Sequence, residues 1–167
     1  MSSETILRLL ADGAVVPVVL IGAYALVRYI PKNQRFDSYS RILMAGLTAY
    51  LIATILSIIY QPSLQRPFEI LGVQAGAAFL NNAGFPSDHA LFVAAITCAV
   101  WFETKRKYVS LILAILTVVI CIARVLALVH TPLDVTCGVL IAFVGALWYL
   151  NGRQSKNPSP VLPLQKR

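Results

Sequence analysis

The sequence predicts an all-α integral membrane protein, a polytopic bundle of about five transmembrane helices with one short interfacial helix. Hydrophobic residues make up 58% of the 167 residues and charged residues only 13%, whereas an ordinary soluble domain carries about 25% charged residues. A run of about 20 apolar residues crosses the hydrocarbon core as a helix, and several runs in this chain approach that length. Composition and run length together exclude a soluble enzyme.

The predicted spans follow one another along most of the chain. They lie at roughly 11–30, 41–60, 87–103, 108–129 and 132–150. Between the second and third spans, Phe68 to Leu80 is apolar but only about 13 residues long, which favours an interfacial or re-entrant helix. Residues 1–150 are therefore predicted to form a single membrane-embedded domain. Residues 151–167 are rich in proline, serine and basic residues, which is typical of a disordered tail.

The charge distribution predicts the orientation of the spans. If all five cross the membrane, one side receives eleven of the 14 lysines and arginines, and most of the acidic residues fall on the other side. By the positive-inside rule the basic side, with the C-terminus, is cytoplasmic. The net charge of +7 then reflects topology and contact with anionic lipid, so no nucleic-acid partner is expected. The sequence does not indicate an oligomeric state.

Polar residues interrupt the apolar runs at two places, and these hold the only two histidines. The first is the segment from Gly84 to His89, and the second contains Arg124, His130 and Asp134. Ionisable groups near membrane depth are costly and usually functional. With the predicted topology, both places and Arg66 meet on the extracytoplasmic side. Arg124 lies six residues before the predicted end of its span, about 9 Å deep, and so requires an anionic partner or a water-filled cavity.

Structural interpretations of the same residues remain open at this point. Ser87 and Thr131 have the pattern of helix N-caps, and Asp134 follows Thr131 at the capping-box spacing. A single histidine is often only a hydrogen-bonded structural residue, and Arg66 is placed where it can extend to the headgroups. These interpretations are compatible with function, because two helix N-termini facing one cavity attract an anion.

The residue types favour phosphoryl transfer. A histidine oriented by a carboxylate can attack phosphorus, and a second histidine can protonate the departing oxygen and then activate water. Arginines stabilise the charge on the transferred group. Two histidines with nearby carboxylates could also bind a metal, but the adjacent arginines favour an anion. We therefore expect no metal and no cofactor. Cys98, Cys121 and Cys137 lie inside the spans and are expected to be buried hydrophobic residues.

The motifs resemble those of the type 2 phosphatidic acid phosphatases, which read Lys-x6-Arg-Pro, Pro-Ser-Gly-His and Ser-Arg-x5-His-x3-Asp. The second motif corresponds to Pro86-Ser87-Asp88-His89 and the third to Ala123 through Asp134. The first survives only as Arg66-Pro67. The resemblance covers roughly residues 41 to 150, and the order and spacing of two motifs make it specific.

The resemblance implies a role for each matching residue. His130 would be the nucleophile that forms a phosphohistidine, Asp134 would orient it, and His89 would be the general acid. The implied phosphate-binding residues are Arg66, Arg124 and Ser87, and Asp88, between Ser87 and His89, is predicted to lie at the same phosphate. Independence of metal is also implied.

Three departures from the family pattern bear on the substrate and the rate. Ile59 stands where the family has its lysine, Ala123 replaces a serine, and Asp88 replaces a glycine. Asp at that place resembles bacterial undecaprenyl pyrophosphate phosphatases of the cell-wall cycle, so a polyprenyl pyrophosphate is the expected substrate. Phosphatidic acid, phosphatidylglycerol phosphate and a sugar-linked lipid phosphate are alternatives, as is a weakened homologue that only binds anionic lipid or a protein partner.

The orientation can be tested by cysteine labelling. Single cysteines at Lys32, Arg106 and Lys156, in a background without the native cysteines, should be shielded from impermeant thiol reagents in intact cells because these positions lie on the basic side. A cysteine at Gln65 should be labelled. Labelling of the first three with protection of the fourth would reverse the predicted topology.

Overall fold

A computed structural model describes residues 2–63, 65–80 and 84–150, and this part of the chain is helical without strands. The predicted all-α fold is thereby confirmed. The helices are α1 (Ser3–Arg8), α2 (Val15–Tyr29), α3 (Arg35–Ile59), α4 (Pro67–Ile70), α5 (Asp88–Thr104), α6 (Lys107–Leu126) and α7 (Pro132–Gly145). A π-helical turn, Leu9–Gly13, joins α1 to α2, and a short 3-10 turn, Lys32–Gln34, precedes α3. The predicted tail, 151–167, lies outside the described residues.

The helices confirm a multi-pass membrane protein. Four helical stretches are long and apolar enough to cross a bilayer: Ser3–Tyr29, Lys32–Ile59, Lys107–Leu126 and Pro132–Leu150. Helix α5, which the sequence predicts to be the shortest of five spans, has 17 residues and is not among these four. The short helix between the second and third predicted spans is the four-residue α4, and Leu71 to Leu80 continues as turns and irregular chain.

Helix α5 lies at the centre of the bundle and packs against α2, α6 and α7, while α7 also packs against α3. Glycines allow the closest contacts. A Cβ on Gly138 would lie 2.6 Å from the carbonyl oxygen of Ser87, and one on Gly145 would lie 2.5 Å from that of Ala45. Helices in lipid associate largely through such close packing of small residues. The contact at Gly138 packs the second turn of α7 directly against the start of α5.

The end of α6 differs from its predicted position. The helix was expected to reach residue 129 but ends at Leu126, and Leu128 takes a positive φ of 60°. The carbonyl oxygens of Ala127 and Leu128 accept hydrogen bonds from Gly76 N and Phe68 N, both at 3.0 Å. The α4 segment thus satisfies carbonyls that every helix end leaves open. Arg124 consequently lies in the last turn of α6, not about 9 Å inside it as the sequence suggested.

The opposite end of the bundle is held by an ion pair. Arg41 Nε on α3 lies 2.8 Å from Glu103 Oε1 on α5, and Arg41 Nη2 donates to Glu103 Oε2, also at 2.8 Å. The guanidinium of Arg106 lies 4.5 Å from the centre of the Tyr29 ring, which joins the α5–α6 turn to α2. These contacts fix the helices far from the histidines.

Substitution of Gly138 by alanine should destabilise the protein by about 1–3 kcal/mol, because the added methyl group meets the Ser87 backbone and not a flexible side chain. Gly46→Ala is the matched control, since nothing lies within 4 Å of a Cβ built there. Thermal unfolding in detergent should show a loss for the first variant only. Equal stability of the two variants would contradict the close packing of α5 on α7.

Candidate active site

The first turn of α7 fixes one side of the site. Thr131 is the N-cap: its hydroxyl accepts from Asp134 N at 3.2 Å, and Asp134 Oδ2 accepts from Thr131 N at 2.7 Å. The capping box expected from the sequence is therefore present. The same Asp134 Oδ2 lies 3.6 Å from His130 Nδ1, which is longer than a hydrogen bond. Asp134 thus caps its own helix and faces the imidazole of His130 electrostatically.

His130 is buried, with 5% of its surface exposed. Within the part of the chain that the structure describes, its Nδ1 makes no hydrogen bond. Burial lowers the pKa of His130 from its usual value near 6.5; the Asp134 carboxylate opposes this shift, and the charges of Arg124 and Arg66 add to it. The lowered pKa keeps the imidazole neutral at pH 7, which is the form that can act as a nucleophile or a base.

The N-terminus of α5 forms the second side of the site. Ser87 is its N-cap, fully buried, and the hydroxyl accepts from Ala90 N at 3.5 Å. Ser87 N donates to the carbonyl oxygen of Asp134 at 3.0 Å, which joins the two helix starts directly. Asp88 and His89 follow in the first turn, and both line one small cavity together with His130. The Ser87 hydroxyl itself caps the helix and is not among the groups that line that cavity.

Arg66 comes from the chain just before α4. Its Nη1 donates to Val129 O at 2.6 Å and its Nη2 to Leu80 O at 2.9 Å. Its side chain is 95% buried, with 5% exposed. Gly84 passes beside the guanidinium with a φ of 86°, and a Cβ there would lie 3.1 Å from the Arg66 Cζ. Both the backbone conformation and the space therefore require glycine at this position.

Arg124 is 1% exposed and has the anionic partner that its burial requires. Its Nη1 lies 2.8 Å from Asp12 Oδ1 and donates to Ala78 O at 2.7 Å. The sequence predicted the need for such a partner but did not identify Asp12. The available signal was an acidic residue at the start of the first apolar run, in a segment that the motifs do not include.

These elements enclose a small polar cavity. It is lined by Arg66, Leu80, Gly84, Pro86, Asp88, His89, Arg124 and His130. The free space is about 20 Å³, which is close to the volume that one water requires. Five of the predicted site residues line this cavity, Asp134 lies behind His130, and Ser87 is held in its cap.

The cavity contains histidine and aspartate side chains, but these are not arranged as a set of metal ligands. Among residues 2–63, 65–80 and 84–150, no three His, Cys, Asp or Glu side chains are placed to share a metal ion. The basic groups around the cavity instead suit an anion.

A wider groove adjoins the cavity between α3 and α5. It has a volume of about 560 Å³ and shares Leu80, Pro86 and Asp88 with the polar cavity. Its other lining residues are Tyr50, Ala53, Thr54, Ser57, Phe85, Leu91 and Phe92. Tyr50 on the candidate span α3 and Phe92 on α5 are both exposed, so the groove is open at the outer surface of the bundle. A polar cavity with an apolar extension matches the two parts of a phosphorylated lipid.

Comparison with known proteins identifies the family. The family model of the PAP2 superfamily matches residues 38–158 of the chain. The chain belongs to the PAP2 superfamily. Members of this superfamily are phosphatases, and membership implies a phosphorylated lipid as substrate. No curated protein and no solved structure matches the chain. The PAP2 match includes most of α3 and all of α4 to α7, and therefore every residue that lines the polar cavity, but not Asp12.

The electrostatics of the site predict how His130 titrates. Since the folded pKa is lowered, His130 should stay neutral at pH 6.5 and take up a proton only below it. In Asp134→Asn the carboxylate that raises the pKa is removed while Arg66 and Arg124 remain, so the pKa should fall further. Histidine NMR in detergent can measure both, with His89→Gln used to assign the two signals. A His130 pKa above 6.5, or a rise in Asp134→Asn, would contradict this description.

Proposed function

We propose that this PAP2 protein hydrolyses a polyprenyl pyrophosphate, such as undecaprenyl pyrophosphate, to the monophosphate through a phosphohistidine on His130. The main support is the arrangement of the cavity: two histidines and two buried arginines face one small space, and an apolar groove leads from it toward the lipid. Arginine pairs suit the oxygens of a phosphoryl group. The groove suits a hydrocarbon chain.

In the first step, His130 attacks the terminal phosphorus. Its Nδ1 faces Asp134 at 3.6 Å, which leaves Nε2 as the attacking nitrogen. A bond forms between Nε2 and phosphorus, and the bond from phosphorus to the bridging oxygen breaks. His89 donates its proton to that oxygen, and the negative charge of the bound pyrophosphate favours the protonated form of His89 beforehand. Arg66 and Arg124 stabilise the equatorial oxygens.

In the second step, water cleaves the phosphohistidine. His89, now neutral, accepts a proton from water as the water oxygen attacks phosphorus. The bond between phosphorus and Nε2 breaks, inorganic phosphate leaves, and both histidines return to their starting states. Asp134 stabilises the positive charge on the His130 ring during attack, which is the role of the carboxylate in a histidine–carboxylate pair.

The preference for a pyrophosphate rests on Asp88 and on the predicted orientation. Asp88 borders both the polar cavity and the groove, at the place where the bridge between headgroup and chain would lie. A pyrophosphate would place its second phosphate, which phosphatidic acid lacks, beside Asp88, the residue by which the chain resembles the undecaprenyl pyrophosphate phosphatases. With the basic ends of the spans in the cytoplasm, the site would face outside, where a carrier lipid is released as a pyrophosphate.

Phosphate release from a panel of lipids tests this function. Purified protein should hydrolyse polyprenyl pyrophosphate with a higher kcat/KM than phosphatidic acid or phosphatidylglycerol phosphate in the same detergent. His130→Ala should abolish turnover, and His89→Ala should slow it by about a hundredfold or more. Thr136→Ala is the matched control, because this α7 hydroxyl donates to Pro132 O and lies outside the cavity. Chelators should leave activity unchanged.

Other outcomes distinguish the alternatives. An equal or reversed substrate preference would make this a general lipid phosphatase. Lipid binding without turnover would favour a weakened homologue, a possibility raised by Ile59 and Ala123; Ala123 packs in an apolar cluster with Ala11 and Ala127. Activity lost in chelator and restored by a divalent ion would overturn the metal-free mechanism.

A further inference from the structure

Asp12 lies in an unusual part of the fold. It belongs to the π-helical turn Leu9–Gly13 between α1 and α2, and it precedes the region that matches the PAP2 superfamily. Single π-helical turns are rare and occur frequently at functional sites. Asp12 is also an acidic residue within a membrane-spanning stretch, where a charge is costly unless it is paired.

Both carboxylate oxygens of Asp12 make directed contacts. Oδ1 lies 2.8 Å from Arg124 Nη1, and Oδ2 accepts from Ala78 N at 2.9 Å. Ala78 O in turn accepts from the same Arg124 Nη1 at 2.7 Å. The three groups form a closed set, so the position of the arginine is tied to the chain that follows α4 and to the N-terminal helix.

The contacts involve only one edge of the guanidinium. Asp12 and Ala78 both bind Nη1, whereas Arg124 Nε is buried and makes no hydrogen bond within the described residues. Nε and Nη2 form the other edge, which has the spacing for two parallel hydrogen bonds to one phosphoryl group. Arg124 lines the cavity and Asp12 does not. Asp12 therefore contacts the arginine without lining the substrate space.

We propose that Asp12 is a positioning residue that holds Arg124 by Nη1 and so presents its Nε–Nη2 edge to the phosphoryl group. This inference rests on the proposed function, in which Arg124 binds that group. Asp12 also balances the charge of the buried arginine, so that the guanidinium does not depend on substrate for its counter-ion. The N-terminal helix thereby contributes to the site without touching the substrate.

The test uses Asp12→Asn, which keeps the shape of the side chain and an acceptor for Ala78 N but removes the charge. Glu4→Gln is the matched control, because Glu4 is an exposed carboxylate on α1 outside the polar cavity. Each variant is made in the wild-type and in the Arg124→Ala background. Two quantities are measured for each: kcat/KM on lipid phosphates, and the binding of vanadate without lipid, followed by its stabilisation against thermal unfolding.

In the wild-type background, Asp12→Asn should lower kcat/KM by about tenfold to a hundredfold, the size of effect that a small misplacement of a binding group produces. It should weaken vanadate binding, while Glu4→Gln should change neither quantity by more than about twofold. In the Arg124→Ala background, Asp12→Asn should cause no further loss, because it acts through the arginine. Asp12→Asn is used in place of Asp12→Ala because it keeps the hydrogen bond from Ala78 N and is less disruptive to folding.

Three results would overturn the inference. The first is unchanged kcat/KM and vanadate binding in Asp12→Asn, and the second is an equal further loss of kcat/KM when Asp12→Asn is added to Arg124→Ala. The third is a gain in activity in Asp12→Asn, which would mean that Asp12 masks Arg124. Vanadate binding separates this inference from the proposed function. A wild-type protein that turns over no lipid but binds vanadate in an Asp12-dependent way refutes the function and supports the positioning role. If the wild-type protein turns over lipid and Asp12→Asn changes neither turnover nor vanadate binding, the function is supported and the positioning role is refuted.

Discussion

The site depends on the cost of burying two guanidinium groups near the end of a membrane-embedded bundle. A buried charge without a partner is strongly destabilising, so the fold surrounds each arginine with oxygen acceptors. Arg66 donates to carbonyls of Val129 and Leu80, and Arg124 to Asp12 and Ala78. Most of these acceptors are backbone carbonyls in irregular chain, where no helix uses them. The interruption of regular structure at this end therefore makes a basic cavity possible in a protein with so small a fraction of charged residues.

Close packing of α5 on α7 brings the two histidines to that cavity. Gly138 removes the side chain that would separate the helices, and Ser87 N donates to Asp134 O. His89 follows the start of α5 and His130 precedes the start of α7, and these two helix starts are joined by a hydrogen bond. The caps on Ser87 and Thr131 are at once structural and functional, because a helix N-terminus that is well capped holds its first turn in one geometry.

The sequence predicted the helical class, a multi-pass membrane protein and five of the residues that line the cavity, because apolar length and motif spacing are local properties. It failed where distant segments decide the structure. The end of α6 is set by hydrogen bonds to Gly76 and Phe68, and Asp12 pairs with Arg124 across 112 positions. The segment after α4 has no periodic pattern, so its irregular path could not be inferred. Ser87, a predicted phosphate-binding residue, caps α5 with its hydroxyl and does not line the cavity.

The groove between α3 and α5 has a consequence for how turnover must be described. Its rim includes exposed faces of the candidate membrane span α3 and of α5, so a lipid that fills it arrives by lateral diffusion within the bilayer and not from water. The concentration that sets the degree of saturation is then the mole fraction of substrate among the surrounding lipids. Diluting the substrate with inert lipid would slow the reaction even at constant bulk concentration, and dispersing the same membranes in more buffer would leave the rate per protein unchanged.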